Sequence, residues 1–215
     1  MPSPSQTRLA IALLACSALA CTATQPVRVL PKGQSRWISS IGGPLLPHHT
    51  PGGVIPYTNV GRMWGKSDNL TLAANAHLLA AAFGVAGVDV GAARRLRAAS
   101  GPLPEITGQA QLYGFVGSGG ARIYPNFTGT ASWSAGEKTL LYGGNSATLK
   151  LNDGFEAFFS PLVGIQRDFG RKLVLQLEGK WVAANADMHS GLFEGENSLG
   201  GNGGLGLQFG VQVKR

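Results

Sequence analysis

Apolar and polar residues alternate with a period of two along most of this chain. In 172–184, Leu173, Leu175, Leu177, Gly179, Trp181 and Ala183 share one face, and Gln176, Glu178 and Lys180 lie on the other. The end of the chain repeats the pattern, with Leu205, Leu207, Phe209, Val211 and Val213 alternating with Gly206, Gln208, Gly210 and Gln212. In 121–134, Ile123, Phe127, Ala131 and Trp133 oppose Tyr124, Asn126, Thr128, Thr130, Ser132 and Ser134. In 106–116, Thr107, Gln109 and Gln111 oppose Ile106, Ala110 and Leu112; in 70–83, Asn75 and His77 oppose Leu70, Leu72, Ala74 and Ala76. Successive strand side chains point to opposite faces, so the pattern predicts strands with one apolar and one polar face.

The predicted strands cover 36–46, 54–65, 69–83, 86–98, 105–117, 121–135, 138–151, 155–169, 172–186 and 203–213. The alanine-rich part of 72–83 also fits a helix. Gly84, Gly87 and Gly91, interleaved with Val85, Val88 and Val90, favour a hairpin there. Tight turns join the segments. The fold class that follows is all-β, a single antiparallel up-and-down barrel of about ten strands, with eight as the smaller possibility. An even number returns both chain ends to one side.

Period-two alternation does not say which face meets solvent. A lipid-facing barrel turns its apolar face outward over strands of about 9–11 residues, whereas a soluble barrel reverses the faces. Composition favours lipid: charged residues are 13% of the chain, against about 25% in typical soluble domains, and glycine accounts for 32 of 215 residues. The net charge of +7 would suit a nucleic-acid partner. The basic residues are scattered over turns rather than gathered on a stripe, so no nucleic acid is expected.

The first 20 residues explain the compartment. Arg8 precedes a short apolar run, Leu9 to Ala15, which continues through Ala18-Leu19-Ala20. A charged start, a core too short to span a bilayer and small residues at its end predict a signal peptide over 1–20. Leu13-Leu14-Ala15-Cys16 and Ala18-Leu19-Ala20-Cys21 both resemble the bacterial lipobox, in which cysteine becomes the lipid-bearing first residue. The longer apolar core favours Cys21, with Cys16 as the alternative. Ordinary cleavage near Ala20 or Ala23 would leave both cysteines incidental. Residues 21–34, with Pro26, Pro31 and Gly33, then read as a lipidated tether, and 35–215 as the barrel.

Two stretches resemble bacterial outer-membrane barrels as a class. Trp64-Gly65-Lys66-Ser67-Asp68-Asn69-Leu70-Thr71-Leu72 is similar to a strand–turn–strand signature of that class. Gly204-Leu205-Gly206-Leu207-Gln208-Phe209-Gly210-Val211 is similar to its terminal assembly signal, which ends on an aromatic residue where Gln212-Val213-Lys214-Arg215 follow here. The resemblance implies an outer-membrane location, and the even strand count together with an acylated N-terminus in the inner leaflet puts both termini on the periplasmic side. Outer-membrane lipids are then partners, and a periplasmic or membrane protein is a further one.

Candidate chemistry falls in two places. Asp153, Glu156, Asp187, His189, Glu194 and Glu196 map to one rim, opposite the termini, with His48 and His49 in another loop there. Such carboxylates and imidazoles could hold a divalent cation or contact lipopolysaccharide, or could activate a nucleophile such as Ser190. The second place is the polar face itself: Asn75, His77, Asp89, Gln109, Gln111, Gln176, Glu178 and Lys180, with Gln208 and Gln212. In a narrow barrel these fill the lumen and must satisfy one another. Gly201-Asn202-Gly203-Gly204-Leu205-Gly206 matches GxGxxG but lacks the strand before and helix after that a dinucleotide site requires. No cofactor or catalysis is expected, and the metal is left open. The functions that remain are a structural, interaction or narrow-pore barrel; a hydrolase acting on lipid or peptide at the outer rim; and a lipid-anchored, lipocalin-like soluble barrel holding an apolar ligand.

Overall fold

The fold was read from a computed structural model, which describes residues 26–44, 57–82, 84–118, 120–151, 155–187 and 202–214. The signal segment, Cys16 and Cys21 lie outside these residues.

Ten strands form: β1 (Ser35–Pro44), β2 (Tyr57–Ser67), β3 (Leu70–His77), β4 (Ala86–Arg97), β5 (Glu105–Gly117), β6 (Gly120–Ser134), β7 (Thr139–Lys150), β8 (Glu156–Phe169), β9 (Leu173–Asp187) and β10 (Asn202–Lys214). Each pairs antiparallel with its neighbours in sequence, and β1 pairs with β10 from Arg36↔Lys214 to Pro44↔Gly206, which closes the barrel. Closure gives every strand two partners and leaves no sheet edge. Apart from the end of β3, the boundaries agree with the sequence periodicity to within a few residues.

The faces divide as the alternation predicts. In β6 the even residues from Tyr124 to Ser132 point inward, while Ile123, Phe127 and Trp133 point out. In β9, Gln176, Glu178 and Lys180 are only 3%, 8% and 6% exposed, while Leu177 is 44% exposed. All ten strands contribute exposed apolar side chains, among them Trp37, Val60, Leu72, Val90, Leu112, Phe127, Leu141, Val163, Leu177 and Leu207.

One strand stops early. The strand expected over 69–83 ends at His77, and Leu78–Ala82 forms a single helical turn, α1. Leucine and alanine are strong helix formers, and nothing pairs with them past Ala76↔Val88. The turn ends in a Schellman arrangement: Gly84 N–H donates to the Ala81 carbonyl and Val85 N–H to the Ala80 carbonyl. That motif needs a left-handed residue, and Gly84 supplies it with φ at +73°.

The second departure concerns the tether. Residues 26–34 do not lie outside the barrel; they enter it. Val27 and Leu30 are 3% and 2% exposed inside the lumen. The sequence held the clue in Val27 and Leu30, whose burial against apolar patches of the inner wall lowers the free energy that exposure to water would cost.

Candidate functional site

The lumen is the site, and it is built in three layers between the two ends of the barrel. One end, the termini end, carries the short connections 68–69, 98–104, 135–138 and 170–172 and the start of β1.

Residues 26–34 form the layer nearest that end, as a plug. The plug leaves β1 beside the β2–β3 turn, where Gly33 N–H donates to the Gly65 carbonyl, and crosses the lumen. Leu30 N–H donates to Thr71 Oγ1 (2.7 Å), and Leu30 packs with Ile38 and Met63. On the far wall, Arg28 donates through Nε to Ser132 Oγ (2.9 Å) and through Nη1 to Ser134 Oγ (3.2 Å), and it lies 3.9 Å from Glu105. Gln109 Nε2 donates to the Pro26 carbonyl (2.9 Å), and Val27 packs against Tyr142 and Leu162. Polar wall residues thus hold the backbone of the plug while apolar ones hold its side chains. A cavity of about 260 Å³ remains between plug and wall at the termini end, lined by Arg28, Arg36, Lys138, Asp168, Gln166 and Gln212 among others.

Two hydrogen-bonded clusters make the middle layer on separate walls. In one, Asn75 Nδ2 and Gln111 Nε2 both donate to Asp89 Oδ1, at 2.7 and 2.9 Å, and the Tyr113 hydroxyl donates to Gln111 Oε1 (3.1 Å). His77 Nε2 lies 3.0 Å from Asp89 Oδ2; that is ion-pair distance, though the geometry is not aligned as a hydrogen bond. Asp89 and His77 are fully enclosed. In the other cluster the Tyr142 hydroxyl donates to Glu178 Oε2 (3.0 Å) and accepts from Gln176 Nε2 (2.9 Å). Gln212 Nε2 reaches Gln176 Oε1 (3.3 Å), and Arg36 Nη1 donates to Gln212 Oε1 (2.9 Å). Tyr142 can lie flat because its cross-strand neighbour is Gly164: a Cβ there would sit 2.3 Å from the tyrosine ring.

The third layer caps the opposite end. Tyr113, Phe115 and Tyr124 pack with Ala80 of α1, and the His77 ring lies 5.2 Å from that of Phe115. Alanine is small enough here to let a helical turn sit over three aromatic rings.

Of the polar residues expected in the lumen, Asn75, His77, Asp89, Gln111, Gln176, Glu178, Lys180 and Gln212 are buried there, Gln109 is buried and turned to the plug, and Gln208 is half-buried and donates to Ser40 Oγ (3.0 Å). Lys180 faces the same lumen as Glu178, whose carboxylate accepts from Tyr142. Sequence reasoning missed Tyr142 and Arg28, whose roles depend on strands and a segment distant in the chain. Of the rim set, Glu156 pairs with Lys150 at 3.2 Å and is exposed. Asp153, His189, Glu194 and Glu196, with His48, His49 and Ser190, lie outside the described residues, as does the side chain of Asp187. Among the described residues no group of three metal-ligating side chains forms. Acidic residues occur at the termini end: Glu105 faces Arg28, and Asp168 pairs with Lys214 at 3.0 Å.

No family model matches the chain, and a search of characterised protein sequences returns no match. Among solved structures the chain is similar to the translocator domain of autotransporter NalP from Neisseria meningitidis, at 11% identity and a TM-score of 0.46, over 97% of this chain and 95% of that one.

Proposed function

We propose that this chain is an outer-membrane barrel lipoprotein that performs no catalysis and is closed at rest by its own N-terminal segment. The observation that carries the reading is the inversion of faces. A closed barrel shows apolar side chains on all ten strands and buries amides, hydroxyls and charges inside. In water such an exterior would be a continuous apolar patch far beyond what soluble monomers expose. In a bilayer it is the required surface, and the export-type leader supplies the route. The same inversion weighs against a soluble carrier of apolar ligands, whose greasy face would line the cavity. Both termini then face the periplasm, where a lipidated Cys21 or Cys16 would enter the inner leaflet.

The filled lumen makes the resting barrel a closed one. Any solute path requires the plug to move, which favours an interaction or gated role over an open pore. Reconstitution into vesicles tests the reading. The protein is expected to float with the lipid after a urea wash and to give no steady conductance, and deletion of 26–32 is expected to raise leakage of small ions. Release of the unlipidated protein into the aqueous phase would refute it.

A further inference from the structure

We infer that the exterior of β1 and β2 carries a seat for the phosphate of an anionic phospholipid, built by Trp37, Arg62 and Trp64. The inference rests on the membrane reading above and names one lipid contact within it.

The observation is a cation on the lipid-facing side. Arg62 lies on the outward face of β2, between Val60 and Trp64, and stands opposite Trp37 of β1 in the strand register. Its guanidinium carbon lies 5.5 Å from the Trp37 ring centre and 5.7 Å from that of Trp64. Its Nη2 donates to Ser35 Oγ (3.1 Å), and Ser35 is the first residue of β1. The side chain is therefore drawn toward the termini end, as a snorkelling arginine would be. Two indole faces and one hydroxyl fix it there. Its Nε is shielded yet has no hydrogen-bond partner among the described residues.

A charged group at the lipid surface needs acceptors. Arg or Lys costs about 2–4 kcal/mol at mid-bilayer and about 0–1 kcal/mol near the interface, so position and partner decide the outcome. Protein supplies no carboxylate: among outward strand positions whose side chains are described, the charged residues are Arg62, Lys66, Arg94, Arg97 and Arg167, all basic and all toward the termini end. A phosphate has several acceptor oxygens in a geometry that a guanidinium matches bidentately. The two tryptophans add apolar walls for the glycerol and first methylenes, and their ring faces hold the cation in place. An anionic phospholipid is favoured over a zwitterionic one because no acid in the patch would receive a choline or ethanolamine ammonium group.

Tryptophan quenching tests this directly. With Trp133 and Trp181 replaced by Phe, fluorescence reports on Trp37 and Trp64 alone. The full chain is reconstituted in phosphatidylcholine containing brominated phosphatidylglycerol or, separately, brominated phosphatidylcholine. Quenching is expected to show a preference of roughly five- to tenfold for the anionic lipid. Arg62→Ala should abolish the preference and Arg62→Lys should reduce it, while Arg94→Ala leaves it unchanged. Equal quenching by both lipids, or a preference that survives Arg62→Ala, would overturn the seat and leave the membrane reading intact. Loss of the preference on adding inorganic phosphate, but not sodium chloride at equal ionic strength, would reassign it as a site for free anions. Absence of quenching by either lipid would overturn the membrane reading and the seat with it.

Discussion

The plug offers the sharpest test of how this barrel is closed. Leu30 is 2% exposed between Ile38 and Met63, and its N–H donates to Thr71 Oγ1 at 2.7 Å. Leu30→Ala removes buried methyl groups and leaves a cavity, costing about 3 kcal/mol within a usual range of about 2–5. The plug has no folded alternative to gain from, so that loss falls on its docking equilibrium. Each 1.4 kcal/mol is about tenfold, so the undocked population should rise roughly a hundredfold. Thr71→Val strands the Leu30 N–H in an enclosed site and should cost about 1–3 kcal/mol, raising that population roughly tenfold. Val27→Cys reports it, in a chain with Cys16 and Cys21 changed to serine and refolded in detergent. The 3% exposure of Val27 predicts slow alkylation of this thiol by maleimide when the plug is otherwise unaltered. Leu30→Ala should accelerate it most and Thr71→Val less. If Val27→Cys alone reacted as fast as Lys66→Cys, whose thiol is exposed, the docked segment would not exist in solution. Equal rates with and without Leu30→Ala would show that Leu30 does not hold it.

Three further outcomes follow from the same geometry. Gly164→Ala would drive a methyl into the Tyr142 ring and toward the Leu177 carbonyl, so it should destabilise the barrel by about 1–3 kcal/mol in urea unfolding, and an unchanged midpoint would show that Tyr142 does not need the space. Asp89→Ala leaves Asn75, Gln111 and His77 facing an enclosed gap, with a loss of about 3–5 kcal/mol by the same measurement; a loss under about 1 kcal/mol would mean that the cluster is hydrated. Leu177→Arg places a charge on the outward face and should cost about 2–4 kcal/mol of folding free energy in vesicles, whereas a change within about 0.5 kcal/mol would indicate a water-facing surface.

Charge on the two surfaces of this barrel obeys different rules. Inside, Asp89, Glu178 and Glu105 each have a hydrogen-bonding or charged neighbour from another strand or from the plug. Outside, two of the cations stand beside aromatic rings, Arg62 with Trp37 and Trp64, and Arg167 with Phe169. The inner arrangement is that of a packed core. The outer one suits a surface that meets lipid headgroups at one end.

Alternation along the chain determined the number of strands, their approximate bounds and the face each residue takes, because a strand's side-chain period is two wherever it lies. Gln176, Glu178 and Lys180 were legible as one polar face for that reason, and the sparse charge of the chain turned that face inward. The register and closure of the barrel decided the rest. They set Asn75, Asp89 and Gln111 on three adjacent strands in one cluster, and they brought Tyr142 to Glu178 across 36 residues of sequence. They also turned 26–34 from an apparent tether into the floor of the lumen, since only an enclosed wall offering Thr71, Gln109 and Ser132 could receive it. Such contacts join positions far apart in the chain, and no local pattern carries that pairing.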